Sequence, residues 1–387
     1  MVRRSLGAAL WSLVGLFACF LGGLSALVGT GAGRGLLGRI AARVVAGAID
    51  GHITVANISG PLLTGMTLTD VNVYGPDSGV VAALPRVELS YSPFDFAAGR
   101  VVLQEVHLTR PVINLVQHKN RRLNLEDLLR LGRPSTGPQT PPALVLLRNV
   151  SIDDGTVVLR LQSTPAPQDS ALEIEPAGAD GRWRIRRFEH VDGRFASLRL
   201  SSPAARGIRA DVQSLAVGIT DPRVRITDLT GRITVVGDSL DADVSRLRLP
   251  ASAVSVRGQV RWPHDTMLYA LDVRADSATL GDVGFLDPRF AKAAVMRGRV
   301  GVRSHGGRVL EVRLDPLALR DGTGTLTGKV TAITAADSGL VALRQADLMA
   351  QDFSLEFARP FMDTLPFAGR LTGHTVADGP LSDLDLQ

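Results

Sequence analysis

The chain has 387 residues, a net charge of +5 and one cysteine, and 45% of its residues are hydrophobic. Its positive charge is spread along the sequence instead of forming a basic run, and only three Trp and three Tyr are available to stack on bases. This composition argues against nucleic-acid binding. The abundance of Val, Leu, Ile and Ala favours β-strands with aliphatic faces.

The amino-terminal segment predicts a membrane anchor. Residues 5–33 carry no charge and follow Arg3 and Arg4. About 20 apolar residues suffice for a helix to cross a hydrocarbon core of about 30 Å. We therefore predict a transmembrane anchor at residues 1–33, with a cleaved secretory signal as the alternative. The residues assigned to the membrane anchor are Leu10, Trp11, Leu13, Val14, Leu16, Phe17, Phe20, Leu21, Leu24 and Leu27.

Residues 34–48 are predicted to form an amphipathic juxtamembrane helix. Arg34, Arg39 and Arg43 recur along it and would lie against anionic lipid head groups. The single cysteine, Cys19, lies within the predicted anchor. A remainder without cysteine suits an oxidising compartment, which indicates export.

From Asp50 onward the hydrophobic pattern has a period of two. In residues 86–91, for example, Val87, Leu89 and Tyr91 share one face and polar residues the other. This alternation is typical of strands with one buried and one wet face. A loose repeat, glycine followed by an alternating strand, predicts roughly 15–18 strands in an antiparallel array. It begins at Gly51, Gly99, Gly155, Gly231, Gly258, Gly298 and Gly369.

Few helices are expected. Leucines at helical spacing after a capping residue predict one at Asn124–Arg130. Pro288 opens a second, at Asp287–Ala294, and a third is predicted at Arg359–Leu365. Residues 133–142, rich in Pro, Ser, Thr and Gly, predict a linker or long loop.

No catalytic or metal-binding motif is present in the sequence. The histidines lack ligand spacing, and there is no nucleophile elbow or phosphate-binding loop. The acidic groups Asp153–Asp154 and Asp238 to Asp243 are interpreted as turns between strands. We expect a protein that is not an enzyme and binds no cofactor or metal.

The order of elements after the anchor resembles a known family. The successive blocks are Asp50–Leu62, Gly65–Val73, Val87–Pro93, Gly99–Pro111 and Leu123–Leu129. Together they resemble the amino-terminal part of AsmA-like proteins, most closely the TamB group of the translocation and assembly module. Residues 369–384 are similar to the repeat of that family. The resemblance implies a β-module with a short helix at 49–132 and a repeating β-groove region at 143–387, which we expect to be truncated at its C-terminal end.

The resemblance also implies a fold and a function. The fold is mainly β: an elongated antiparallel sheet curled into an open, chorein-like groove. The protein would be a single-pass protein of the bacterial inner membrane with its bulk in the periplasm. It would serve outer-membrane biogenesis as a conduit for phospholipid, or in the assembly and secretion of β-barrel proteins and autotransporters. TamB chains are far longer, so docking to an outer-membrane barrel partner would need a region missing here.

Two alternatives compete with the groove. The same alternation would serve a closed β-sandwich core, and the chain could be a passive envelope scaffold or stalk that binds proteins through sheet edges. A third hypothesis is that the protein is an exported hydrolase. For the groove, we predict that phospholipid acyl chains contact a set of aliphatic side chains. These are Val87, Leu89, Val102, Val106, Leu108, Val157, Leu159, Ile233 and Val235.

Overall fold

The structure, a computed structural model, divides by backbone contacts into Met1–Asp221 (unit 1) and Pro222–Gln387 (unit 2). This division falls inside the region predicted at 143–387. Both units are built mainly from strands, as the sequence predicts. The described residues are 51–61, 64–91, 101–118, 123–128, 145–163, 173–176, 181–200, 207–236, 238–263, 266–284, 293–306, 308–335, 339–358 and 369–387.

Several predicted segments lie outside the described residues. They are the anchor at 1–33, the juxtamembrane helix at 34–48, the linker at 133–142, the helix at Arg359–Leu365 and all but the last two residues of the helix at Asp287–Ala294. Among the residues that are described, no helix has the length and apolar character needed to span a membrane.

Unit 1 contains nine strands and one short helix among its described residues. The elements are β1 (His52–Ser59), β2 (Gly65–Tyr74), β3 (Val80–Tyr91), β4 (Val101–Thr109), β5 (Val112–Val116), α1 (Asn124–Leu128), β6 (Val145–Ser163), β7 (Glu173–Pro176), β8 (Arg182–Leu200) and β9 (Gly207–Thr220). Strands β1, β2 and β3 form an antiparallel meander, and β8 pairs antiparallel with β6, β7 and β9.

The pairing in unit 1 departs from the predicted antiparallel array at one place. Strands β4 and β5 pair with β6 in parallel. A parallel pair needs a crossover of about a dozen residues or more, often helical. The chain between Val116 and Val145, which contains α1, supplies that crossover. The sheet is therefore mostly, and not wholly, antiparallel.

Helix α1 forms within the span predicted for it. The Asn124 side chain is directed at β5 and is buried: its Oδ1 accepts from the Val116 N–H and its Nδ2 donates to the Asn114 carbonyl, both at 3.0 Å. Asn124 therefore fixes the helix against the strand.

Unit 2 is an up-and-down meander. Its strands are β10 (Arg223–Ile226), β11 (Asp228–Val236), β12 (Ser239–Arg248), β13 (Ala253–Arg261), β14 (Leu268–Thr279), β15 (Val295–His305), β16 (Val309–Asp321), β17 (Gly324–Ala335), β18 (Gly339–Ser354), β19 (Arg370–Pro380) and β20 (Asp385–Leu386). From β11 to β20, each strand pairs antiparallel with the next one in sequence. The described residues thus hold 20 strands in total, slightly more than predicted.

A compact core occupies one end of the unit 2 sheet. Short 3-10 helices follow β14 at Leu280–Val283 and β18 at Leu355–Ala358. Phe353 packs edge-on against Phe357 with ring centroids 5.4 Å apart. The buried members of this cluster are Leu280, Ala294, Leu317, Leu319, Ala350 and Phe353.

One ion pair in unit 1 is largely removed from water. Asp221 is 8% exposed and accepts hydrogen bonds from Arg184 Nη2 at 2.7 Å and Arg186 Nε at 3.4 Å. These bonds, above all those from Arg184, hold the pKa of the Asp221 carboxyl below its ordinary value. The carboxylate therefore joins the start of β8 to the end of the unit.

Replacing this carboxylate should destabilise the protein in a pH-dependent way. Asp221→Asn should lower the free energy of unfolding by about 1.5–3 kcal/mol at neutral pH, the range for hydrogen bonds to charged groups. Because the folded-state pKa is lowered, the stabilisation is present above the ordinary Asp pKa of about 3.9 and is lost as the pH falls through the folded-state value. Urea unfolding at pH 7 and pH 3 measures the difference. The exposed Asp276→Asn is the control, and equal effects of both variants would contradict the assignment.

A second prediction concerns a glycine at a strand irregularity. Gly298 has φ +139°, and a Cβ added there would overlap the Pro316 carbonyl oxygen on β16. Gly298→Ala should therefore cost about 1–3 kcal/mol of stability. Gly301→Ala on the same strand is the control, since its nearest neighbour would be 3.6 Å away. Comparable urea midpoints for the two variants would show that Gly298 is not constrained.

Candidate functional site

The most distinctive surface of unit 2 is a set of aliphatic rows that cross the sheet. The central row contains directly paired residues from six adjacent strands. Since side chains of a strand alternate between faces, paired residues share a face with each other and with residues two positions away. The row runs through Val244, Val256, Val273, Val300, Leu314 and Val330.

Two further rows lie on the same face, displaced by two residues along each strand. We call the three rows together the apolar face. The second row is Ile233, Ala242, Gly258, Leu271, Val302, Val312, Ala332 and Leu343. The third, partly polar, is Val235, Leu240, Val260, Tyr269, Ser304, Leu310, Thr334 and Leu340.

The apolar face is only half-buried. Apart from Val244, which is 6% exposed, the side chains of the central row keep partial exposure. Among the described residues of this unit, the strand pairs with extensive backbone contacts are the hydrogen-bonded neighbours. Continuous rows of partly exposed aliphatic side chains are typical of a binding surface.

The opposite face of the same strands is charged. Asp243 pairs across the sheet with Arg257, and Arg257 with Asp272. Ion pairs join Arg257 Nη2 to Asp243 Oδ1 and Arg303 Nη2 to Asp272 Oδ2, both at 2.9 Å. A shallow, open depression of about 900 Å³ lies over this polar face. Its arginines are largely matched by carboxylates, so the face is hydrated and carries no concentrated charge.

Ion pairs also mark the polar face near β19. His374 Nε2 lies 2.8 Å from Asp347 Oδ1, and Arg370 hydrogen-bonds to Asp352. These partners hold the pKa of the Asp347 and Asp352 carboxyls below their ordinary values. All four side chains are exposed, so the pairs contribute little to stability.

The predicted lipid-contacting residues of unit 1 form a second aliphatic set. Val87 pairs with Leu108 and Leu89 with Val106, so these four share a face. Val87 and Val106 are buried, while Leu89 and Leu108 are half-exposed. Val102, paired with Leu146 on β6, is 6% exposed.

Val157 and Leu159 join this set through a bulge. Leu108 pairs with Ile152, and a Cβ added to Gly155 would contact the Ile152 side chain at 3.0 Å. A side chain at position 155 would therefore lie on the same side of the sheet as that of Ile152. Val157, two residues later, shares that side, as does Leu159. Both are half-buried.

Two of the remaining predicted residues belong to unit 2. Ile233 and Val235 lie on the apolar face of unit 2, where they pair with Ala242 and Leu240. The ten predicted anchor residues, Leu10 to Leu27, lie outside the described part of the chain. The predicted lipid-contacting set omits most of the apolar face, including Val256, Val273, Val300 and Val330. Alternation in residues 269–275 and 298–304 was a signal that could have identified them.

A serine, a histidine and an aspartate meet on unit 1. His107 Nδ1 is 2.7 Å from Ser151 Oγ, and its Nε2 is 3.2 Å from Asp153 Oδ2. In hydrolase triads the serine bonds Nε2 and the aspartate Nδ1, the reverse of this assignment. His107 and Asp153 are exposed, and His107 pairs with Ser151 across the parallel strands β4 and β6. The cluster therefore links two strands.

The acidic pairs occupy strands instead of the predicted turns. Asp153 and Asp154 lie within β6, and Asp241 and Asp243 within β12. Among the described residues, no group of three or more His, Cys, Asp or Glu is placed to hold a metal ion. The chain matches no protein-family model, no curated protein and no solved structure.

Proposed function

We propose that the protein is a non-enzymatic lipid conduit of the bacterial envelope, anchored in the inner membrane by residues 1–33 with its sheet in the periplasm. The observation that supports this best is the apolar face, with three rows of side chains across consecutive strands. An open groove around this face is the arrangement that the resemblance implies. The resemblance of the sequence to AsmA-like proteins supports the same interpretation.

The apolar face suits acyl chains for a simple energetic reason. Exposing apolar surface to water costs about 25 cal/mol for each Å². An acyl chain that moves from a bilayer onto Val256, Val273 and Val300 exchanges one apolar environment for another, so little of this cost arises. Continuous aliphatic rows would let the acyl chain move from strand to strand without crossing a polar barrier.

The opposite face of the sheet is suited to contact with water. Its charges form cross-strand pairs such as Arg257 with Asp243, which keep this side hydrated. Lipid head groups would stay in solvent at the open side of the groove. The aliphatic surface would equally accept the alternating strands of unfolded β-barrel proteins, and assembly of such proteins belongs to the same proposal.

Photocrosslinking in the full-length protein tests the lipid contact. A benzoylphenylalanine at Val302, on the apolar face, should crosslink to ³²P-labelled phospholipid in growing cells at about ten times the yield obtained at Gly301, on the polar face, since ordered acyl chains would lie only over the first. Radioactivity that comigrates with the protein measures the yield. Equal labelling at both positions would favour a passive scaffold.

A charge placed on the apolar face should block this contact. Ala332→Glu puts a carboxylate between Val312 and Leu343, and an unpaired charge among acyl chains is strongly unfavourable. We expect the crosslink at Val302 to fall about tenfold. Thr331→Glu is the matched control, because this neighbour faces Arg313 and Arg344 on the polar side. A crosslink that survives Ala332→Glu would argue against a continuous lipid path.

The anchor is tested by extraction. The full chain should remain in carbonate-washed membranes and be degraded by protease added to spheroplasts. Replacing Leu16 and Phe17 by Arg should release it, since each Arg at the centre of a span costs about 2.5–3.5 kcal/mol. Ser5→Arg, at the edge of the segment, is the control. Retention of the doubly substituted protein would exclude a transmembrane anchor at this segment.

A further inference from the structure

Three arginines on the polar face of unit 2 lie close together, and we call them the arginine patch. Arg297 and Arg299 are two residues apart on β15, so they point to the same side of the strand as Gly301. Arg297 pairs with Ala318 on β16, and Arg320 lies two residues beyond Ala318. The three arginines therefore lie around Ala318 on one face of the sheet, and all three are exposed.

The carboxylates that flank the arginine patch already have other partners. Asp276 Oδ1 lies 3.4 Å from Arg274 Nε, and Asp315 Oδ2 lies 2.6 Å from Arg313 Nη2. Among the described residues, no carboxylate lies at ion-pair distance from the three arginines of the patch. The matching of charges that holds over most of the open depression therefore ends here, and the patch has an unbalanced positive charge.

One charge of the patch is placed directly against another arginine. Arg299 pairs across the sheet with Arg274 on β14. Like charges directly opposite each other on neighbouring strands are destabilising. The contact of Arg274 with Asp276 offsets this repulsion only in part, because both side chains are largely exposed to water. An anion bound beside Arg299 would offset the remainder.

The surroundings of Ala318 suit a phosphate group. The short side chain of this exposed residue leaves space between longer ones. Thr327 pairs with Ala318 from β17, and Thr325 pairs with Arg320, so two hydroxyl groups lie on the same face. Guanidinium groups bind phosphate oxygens through pairs of N–H donors, and hydroxyl groups supply further donors. The group that fits here is therefore a phosphate.

An exposed apolar side chain adjoins the arginine patch. Met349 pairs with Thr327 from β18 and is 44% exposed. Val295, which pairs with Arg320, lies on the same face and is half-buried. Basic side chains beside exposed apolar ones are typical of surfaces that bind anionic membranes. A free phosphate ion would gain nothing from Met349, so the neighbourhood favours the head group of a lipid.

We propose that the arginine patch binds the phosphate groups of anionic phospholipid head groups at a membrane surface. The patch lies on the opposite side of the sheet from the apolar face, so this contact differs from the binding of acyl chains and does not rest on the proposed function. The arginines would contact phosphate oxygens, while Met349 would enter the boundary between head groups and acyl chains. The attraction acts over about 10 Å at an ionic strength of about 0.1 M.

Vesicle binding by the full chain tests the proposal. The chain is reconstituted in nanodiscs of phosphatidylcholine and mixed with sucrose-loaded vesicles of phosphatidylcholine that contain about 30% phosphatidylglycerol. We expect it to sediment with these vesicles and to bind vesicles of phosphatidylcholine alone at least about tenfold more weakly, since each basic residue near an anionic surface contributes about fivefold in affinity. Equal binding to both kinds of vesicle would overturn the proposal.

Two doubly substituted chains locate the contact. Arg297→Gln with Arg320→Gln removes two charges of the patch and should weaken vesicle binding about tenfold or more. Arg257→Gln with Arg313→Gln is the matched control, because it removes the same charge from the same face at residues that have carboxylate partners. The control should lose less than about threefold. Equal loss in both chains would show a general effect of net charge and overturn the assignment.

The same pair of chains separates the patch from other basic segments. Binding through the predicted juxtamembrane helix at 34–48 would survive in both chains, because neither substitution touches that segment. Full binding by the chain with Arg297→Gln and Arg320→Gln would therefore overturn the assignment as well.

Two further measurements need no variant. Raising the ionic strength from about 0.1 M to about 1 M shortens the Debye length from about 10 Å to about 3 Å and should release the chain from the vesicles. Retention at high salt would overturn an electrostatic contact. Inorganic phosphate or polyglutamate, added at constant ionic strength, should leave vesicle binding unchanged. Release by phosphate would assign the patch to the free ion, and release by polyglutamate would assign it to an acidic polypeptide. Either result would overturn the proposal.

Discussion

The apolar face of unit 2 depends on the register between neighbouring strands. A shift of one residue would move every side chain of a strand to the other face, so an apolar face persists only while each strand keeps its register with both neighbours. In unit 2 this condition holds across six strands, from Val244 to Val330. The backbone ladder fixes the spacing of the strands, and the register decides what the surface can bind.

β-bulges keep aliphatic side chains on one face of the sheet where their spacing along a strand would otherwise place them on opposite faces. Leu314 and Leu317 are three residues apart and would normally face opposite sides. The extra residue between them lets Leu314 pair with Val330 and Leu317 with Gly328, two positions on the same face of β17. Val244 and Leu247 behave in the same way, pairing with Val256 and Val254. The irregularities therefore extend the aliphatic surface along the strands toward the buried cluster around Phe353.

The sequence predicts the strands well, because alternation is a local property. Val87 and Leu89 were correctly expected to share a face, and their partners Leu108 and Val106 were named as well. The parallel pairing of β4 and β6 was not predicted, since the partner of a strand is a non-local property that depends on the crossover. Asp241 and Asp243 were assigned to turns because Asp is rare in strands. They occupy a strand because Gln259 and Arg257 on the next strand bond to their carboxylates.

The candidate site was predicted less completely for the same reason. Val157 and Leu159 reach the face of Leu108 only through the bulge near Gly155, where the side chains of Pro111 and Val191, distant in sequence, pack close to the glycine. Asp154 and His190 adopt positive φ at these irregularities. Neither residue type predicts a positive φ as clearly as glycine does. Beyond such a bulge, only the structure shows which face of the sheet a residue occupies.

An exposed aliphatic face is an aggregation hazard, and the sheet of unit 2 confines that hazard to one side. Leu371 and Thr375 continue on β19 the side of the sheet that carries Leu348 and Phe353. The paired charges on the opposite face, such as Arg257 with Asp243, keep that side hydrated. Under the proposed function, acyl chains or the alternating strands of an unfolded β-barrel protein would cover the aliphatic side. Both ligands present an apolar surface to the same rows, which gives a physical reason for a single protein to serve both.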